Sequence, residues 1–281
     1  MQLSPSRRPD ATSKDRPVIS LHGAAFGYAD RTVISGVTLA VQPGEVVALT
    51  GPNGSGKTTL VKGLLGLAEQ QAGSVELFGV PRARFHERTR LGYVPQRHTL
   101  STAVPSTVGE VVGIGRLARR RWWQRAGAED RREVLAALEL VGLADRVGED
   151  VSTLSGGQQR RVLIARALAA QAEVLIMDEP TAGVDVASQQ VLVDVLARLA
   201  RRGTTMLVVT HELDALGGLV TRVVCTRTGA VDFDGTPQEY AHRHDHPGEP
   251  RLAQHHHADD PPRGGATVAG PADVLRGGAH G

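Results

Sequence analysis

Gly51-Pro52-Asn53-Gly54-Ser55-Gly56-Lys57-Thr58 is the run with the most chemical content in this 281-residue sequence. Its spacing fits G-x-x-x-x-G-K-[ST], a glycine loop whose backbone N–H groups cradle phosphates. Only three lysines are present, Lys14, Lys57 and Lys62, so Gly-Lys-Thr at the end of this spacing is not an accident of composition. Val46-Val47-Ala48-Leu49 precedes the loop as a buried strand, and Thr59-Leu60-Val61 with Leu64-Leu65 follows at helical spacing. Strand, loop and helix together aim a helix N-terminus at an anion. Gly51, Pro52, Asn53, Gly54, Ser55, Gly56, Lys57, Thr58 and Thr59 are the candidate phosphate-binding residues.

A second cluster lies far downstream, where the apolar Val174-Leu175-Ile176-Met177 ends in Asp178-Glu179. In nucleoside triphosphatases built on this loop, an Asp so placed holds Mg²⁺ together with the loop hydroxyl. That assigns Thr58 and Asp178 to Mg²⁺ and leaves Glu179 to act on an attacking water.

The elements that must position these groups alternate between strand and helix. Val18 to His22, Val37 to Val41, Ser74 to Phe78 and Thr205 to Val209 read as further strands. Val220 to Cys225 and Ala230 to Phe233 read as a terminal pair. The loop helix runs from Gly56 to about Leu67, and Val186 to Arg201 is an amphipathic helix with arginines near its end, matching the dipole. Alternation of this kind predicts a mainly parallel sheet. From about 95 to 170 the pattern is helical, which predicts an inserted helical subdomain. Residues 1–16 are expected to be disordered, 17–240 to form the folded domain and 241–281 to be a disordered, His-rich tail.

Composition excludes several classes. A hydrophobic content of 41 % supports a packed core, and with only nine aromatic residues that core must be aliphatic. The net charge of +2 carries no nucleic-acid signature. One cysteine, Cys225, rules out a disulfide framework within the chain and suits a reducing compartment. No run of about 18 apolar residues is present, so no membrane span is expected, and the polar Met1 to Pro17 shows no signal peptide.

Leu154-Ser155-Gly156-Gly157-Gln158 decides among the remaining classes. A Ser and two glycines open an amphipathic helix, so free N–H groups and a positive dipole end face outward. With it the chain resembles the nucleotide-binding subunit of ATP-binding-cassette (ABC) transporters, whose signature is LSGGQ. The resemblance covers about residues 17 to 240. It implies an α/β fold: a P-loop NTPase cassette with a RecA-like core, an antiparallel β subdomain and an inserted helical subdomain. It implies ATP and Mg²⁺ as ligands and ATP hydrolysis as the activity. Tyr28 matches the aromatic that stacks on adenine. Gln96, in Tyr93-Val94-Pro95-Gln96, matches the glutamine that reaches the metal and the water, and His211 the histidine on the γ-phosphate. Lys57 and Glu179 complete the implied catalytic set. Asp185, in Ala182-Gly183-Val184-Asp185, keeps the acid of the loop whose common form is Ser-Ala-Leu-Asp. Ser155 and Gly157 are implied to contact the γ-phosphate of a second subunit.

The implied partners are a second copy of this subunit, separate membrane permease subunits and an extracytoplasmic metal-binding protein, with no nucleic acid. The implied place is the cytoplasmic face of the membrane. Family members dock their permease on the segment His98 to Arg125, and Arg119-Arg120-Arg121-Trp122-Trp123 reads either as a solvated face or as a lipid contact. Tyr93-Val94-Pro95-Gln96-Arg97, Val104-Pro105-Ser106-Thr107-Val108 and Pro180-Thr181-Ala182-Gly183-Val184-Asp185 are similar to the zinc/manganese importer branch. Seven of the eleven histidines fall in the last 40 residues. His242, His244, His246, His255, His256 and His257 are therefore candidate zinc ligands, against the alternative of a merely solubilising tail. A cargo other than a metal, or a soluble cassette ATPase that moves no cargo, are the competing readings.

Overall fold

The computed structural model describes residues 16–96, 105–120 and 125–245. Strands β1 (Ile19–Tyr28) and β2 (Arg31–Val41) form a hairpin, and β3 (Val46–Thr50) leads through the glycine loop into helix α1 (Lys57–Leu64). Strands β4 (Glu69–Leu77) and β5 (Val80–Pro81) return beside β1, giving an antiparallel sheet of order β2-β1-β4-β5. After β6 (Leu91–Val94) come helices α2 (Val108–Leu117), α3 (Ala128–Leu140) and α4 (Gly156–Ala169), the inserted helical layer. The chain then alternates through β7 (Val174–Asp178), α5 (Val186–Arg201), β8 (Thr205–Val209), β9 (Arg222–Arg227), β10 (Ala230–Gly235) and α6 (Pro237–Asp245). The central sheet has order β10-β9-β3-β8-β7-β6 and is parallel except for β10.

Strand periodicity sorts the core into two halves, because successive side chains of a strand face opposite sides. Val46, Ala48, Leu175, Met177, Met206 and Val208 join the core beneath α4 and α5. Val47, Leu49, Val174, Ile176, Leu207 and Val209 join the core shared with α1 and the antiparallel sheet. Both faces are covered, which is why these strands are continuous apolar runs rather than alternating ones.

Several boundaries differ from the sequence reading for identifiable reasons. Strand β1 runs on to Tyr28 because its pairing with β2 absorbs three register shifts between Leu21 and Gly27, the first of them spanning Gly23, whose φ is 57°. Helix α1 stops at Leu64 rather than near Leu67. Leu67 N–H bonds back to Lys62 O, and Gly66 sits at φ 76°, the left-handed ending typical of a helix C-terminus. Helix α6 continues to Asp245, past the expected start of a disordered tail, because Tyr240 packs edge-on against Phe233 with ring centres 5.3 Å apart. His242 and His244 thus belong to this helix. Residues 1–15, Arg121 to Gln124 and the tail histidines His246, His255, His256 and His257 lie outside the described residues, as does the part of the expected docking segment at 98–104.

Helix α1 rests so closely on β1 that a Cβ at Gly63 would lie 2.3 Å from Phe26 Cδ1. Alanine there gains about 1 kcal/mol of helix propensity, but overpacking costs about 1–3 kcal/mol against a ring that has nowhere to go. Gly63→Ala is therefore expected to lower the denaturant midpoint. An unchanged or higher midpoint would show that Phe26 yields.

Candidate active site

Parallel pairing carries the carboxyl ends of β3, β6, β7 and β8 to one edge of the central sheet, the edge at which open α/β sheets bind ligands. The glycine loop leaves β3, Gln96 follows β6, Asp178 and Glu179 end β7, and His211 follows β8.

The loop is built on two glycines that no other residue can replace. Gly51 and Gly56 have φ 133° and 100°. A Cβ on Gly51 would lie 2.1 Å from Thr226 O, and one on Gly56 2.9 Å from Ile34 Cβ. Ser55 Oγ lies 2.8 Å from Thr226 Oγ1, which in turn donates to Thr50 O at 3.3 Å, so β9 anchors the loop. Lys57 is only 7 % exposed, and its Nζ donates to Gly51 O at 2.8 Å and Pro52 O at 3.0 Å. The loop thus curls around the ammonium. Pro52, Asn53, Gly54 and Thr58 are exposed, whereas Thr59 is buried in the first turn of α1.

Asp178 is 4 % exposed. Burial and the neighbouring Glu179 carboxylate push its carboxyl above the usual range, while Lys57, Lys62 and a hydrogen bond with Thr58 pull it back. A buried carboxylate beside a second one needs a cation. Hydroxyl and carboxylate oxygens of Thr58 and Asp178 fit Mg²⁺, a hard ion that keeps several waters. When bound, Mg²⁺ neutralises charge on the β- and γ-phosphate oxygens.

Glu179 is held from four directions. Its N–H donates to Val209 O at 2.8 Å, and its carbonyl accepts from Arg160 Nη1 at 2.5 Å. One carboxylate oxygen accepts from Gln96 Nε2, and the other lies 3.4 Å from His211 Nδ1. Its φ is 46°, a left-handed conformation that costs a non-glycine residue on the order of 1–3 kcal/mol and concentrates at functional sites. The structure therefore brings Gln96 and His211 together on the carboxylate of Glu179, next in sequence to Asp178.

The signature segment divides into parts. Leu154 is buried in the helical layer, and Ser155 and Gln158 close a capping box at the start of α4: Gln158 N–H donates to Ser155 Oγ at 3.3 Å and Ser155 N–H to Gln158 Oε1 at 2.8 Å. A Cβ on Gly157 would lie 2.7 Å from Ser188 Cβ, so α4 needs glycine there to approach α5. Gly156 is exposed, and a Cβ on it meets nothing within 4 Å. Asp185 caps α5, accepting from Ser188 N–H at 2.9 Å, and this hydrogen bonding lowers its carboxyl below the usual range. Tyr28 is exposed at the end of the hairpin that also lays Ile34 against Gly56. His242 is exposed on α6.

Two contributors escaped the sequence reading. Thr226 has no motif around it. Arg160 left a usable signal: it falls three residues after Gly157 and four before the buried Ile164, on the inward face of α4, where a charge must find partners.

A family model described as ABC transporter matches residues 34–182. The zinc uptake system ATP-binding protein ZurA of Listeria monocytogenes is 36 % identical over 229 residues, 81 % of this chain and 89 % of that one. The chain belongs to the ABC transporter family. The manganese transport system ATP-binding protein MntB of Bacillus subtilis is 39 % identical over 195 residues, 69 % of this chain and 77 % of that one. The phosphonates import ATP-binding protein PhnC of Stutzerimonas stutzeri is 39 % identical over 224 residues, covering 74 % and 80 %. Among solved structures, a bacterial ABC transporter cassette determined as a dimer superposes with a TM-score of 0.67 at 27 % identity, over 78 % of this chain and 98 % of that one. This cassette is an ATPase, and no helix among its described residues is long and apolar enough to cross a membrane.

Because Asp178 is buried against its own preference, Asp178→Asn is expected to raise the melting temperature without nucleotide at neutral pH. The same change should erase the extra stabilisation that Mg²⁺ adds to ATP. A thermal-shift series with ATP, with and without Mg²⁺, checks both. A lower ligand-free melting temperature, or an intact Mg²⁺ increment, would contradict this account of Asp178.

Proposed function

We propose that the cassette works as a pair, each ATP lying between the P-loop of one copy and the signature of the other. Lys57 and the loop N–H groups hold the phosphates, Thr58 and Asp178 take Mg²⁺ with Gln96 nearby, and Tyr28 stacks on adenine. Glu179 polarises the attacking water, and His211 stands at the γ-phosphate. Ser155 and Gly157 act across the interface, with Asp185 beside it. The observation that carries this reading is the convergence of Gln96, His211 and Arg160 on a strained Glu179. Phosphoryl transfer depends on positioning and charge stabilisation, so hydrolysis depends on the pair closing. The dimeric solved relative supports this arrangement.

Loss of a general base costs about 10²–10⁴ in rate. Glu179→Gln is expected to bind ATP, turn over in that range more slowly and accumulate as an ATP-dependent dimer on a sizing column, while Lys57→Ala loses nucleotide binding. Gly156→Glu is expected to keep the wild-type melting temperature, since its side chain meets open space, yet lose both the dimer and hydrolysis. Rapid turnover by Glu179→Gln, or a normal dimer with Gly156→Glu, would refute the arrangement.

We infer that the pair drives a permease from its cytoplasmic face and that the cargo is Zn²⁺ or Mn²⁺, received from an extracytoplasmic metal-binding protein. The docking surface is a cavity of about 640 Å³ between α2 and α3, whose apolar lining includes the exposed Ile114, Leu117, Leu135 and Val147. The zinc and manganese relatives support a metal cargo, as does the His-rich tail, whose imidazoles from His242 to His257 suit Zn²⁺. The phosphonate relative marks the competing cargo. Metal content of cells lacking this chain, grown in metal-poor medium, decides between them. A selective fall in zinc or manganese, restored by the active form and not by Glu179→Gln, is expected. Unchanged metals with impaired phosphonate uptake would replace the metal by an organic anion. Truncation after Asp245, which spares α6, tests the tail: metal-dependent transport unchanged by it would leave the tail without a role in metal handling.

A further inference from the structure

Arg160 is 7 % exposed and, among the described residues, has no carboxylate at ion-pair distance; its guanidinium donates to backbone instead. Nη1 donates to Glu179 O at 2.5 Å, and Nη2 to Gln96 O at 3.1 Å and Ala182 O at 3.2 Å. These carbonyls belong to three different segments: the loop after β6, the end of β7 and the turn before Asp185. The side chain that gathers them stands on α4, one turn after Gly156 and Gly157. We propose that Arg160 is a positioning residue, a clamp that ties the signature helix to Gln96 and Glu179 and thereby fixes the aim of the catalytic carboxylate.

The geometry carries this in two ways. Glu179 holds a left-handed φ, which persists only where its surroundings over-determine it. Its N–H is fixed by Val209, and Arg160 fixes its other peptide group. Gln96 donates to the Glu179 carboxylate from a residue whose own carbonyl is held by the same guanidinium, so one side chain sets both members of the pair. Arginine suits the task because its planar fork presents several donors in fixed directions, which the single ammonium of lysine cannot match. In the paired arrangement, which this second step rests on, the signature and Glu179 of one subunit serve two different nucleotides. Arg160 then provides a direct covalent-and-hydrogen-bonded path from one site to the other.

Lys57 and the glycine loop share no hydrogen bond with Arg160, so its loss is expected to separate turnover from binding. Misplacement of a catalytic group by about 1 Å costs on the order of 10²-fold. Arg160→Lys and Arg160→Gln, in the full-length chain with Mg²⁺-ATP, are expected to lower kcat by about 10–100-fold and leave the Kd of a fluorescent ATP analogue within about twofold. Lysine should recover only part of the loss. Wild-type kcat in Arg160→Lys would overturn the clamp, because charge alone would suffice. A parallel loss of kcat and nucleotide affinity would overturn it too, by showing a general structural role. For the second step, steady-state turnover against ATP concentration is compared in the same proteins. A Hill coefficient above one in wild type that falls toward one in Arg160→Lys supports the link between sites, and an unchanged coefficient overturns it. Combining Arg160→Lys with Glu179→Gln keeps the two readings apart: an ATP-dependent dimer in the double variant shows that pairing stands whatever becomes of the clamp.

Discussion

The central constraint of this molecule is that β3, β6, β7 and β8 run parallel in adjacent register. Val46 pairs with Met206, Thr205 with Val174, and Val174 with Leu91. Strands aligned in this way end together, so the loops leaving them have no choice but to meet at one edge. Lys57, Gln96, Glu179 and His211 are up to 154 residues apart in sequence, and strand pairing brings the segments that carry them to one edge. The two apolar cores serve that alignment: a slip of one residue would exchange every inward and outward side chain of a strand.

Holding charge at that edge opposes stability, and the structure offsets the cost locally. Asp178 is buried beside a second carboxylate, with Lys57 and then Lys62 as its cationic support. Glu179 adopts a backbone conformation that favours glycine. Neither feature helps the chain fold. Both place negative charge where a divalent cation and a water can be organised, which is the pattern expected when positioning for catalysis outweighs folding stability.

What the sequence made legible follows the range of the interactions involved. The P-loop, the signature and the acidic strand end are contiguous motifs whose geometry is fixed by neighbours within a few residues, and the structure has them in the expected strand, loop and helix settings. Strands β7 and β8 and helix α5 were also readable, because each carries an uninterrupted apolar period. The extent of β1 was not, since bulges break its alternation between Leu21 and Gly27. Nor was the extent of α6, whose polar sequence gains its order from Tyr240 against Phe233. Arg160 and Thr226 escaped for the same reason: their partners lie at the ends of other strands, and only the folded sheet brings those ends together.

The loop before α5 shows how a departure from the common family pattern can leave the anchoring of a segment intact. Ala182-Gly183-Val184 stands where Ser-Ala-Leu is usual, and Gly183 sits at φ 70°, which alanine adopts only under strain. The backbone there is tied at both ends regardless. Ala182 O accepts from Arg160, and Asp185 accepts from Ser188 N–H to cap α5. Substitutions between two such anchors change the path of the loop while its ends stay fixed. Asp185 is the member that cannot vary freely, because removing it leaves the N-terminus of α5 uncapped where α4 comes close to α5 over Gly157. A capping side chain at this position is thus required by the helix itself, before any contact with a second subunit is considered.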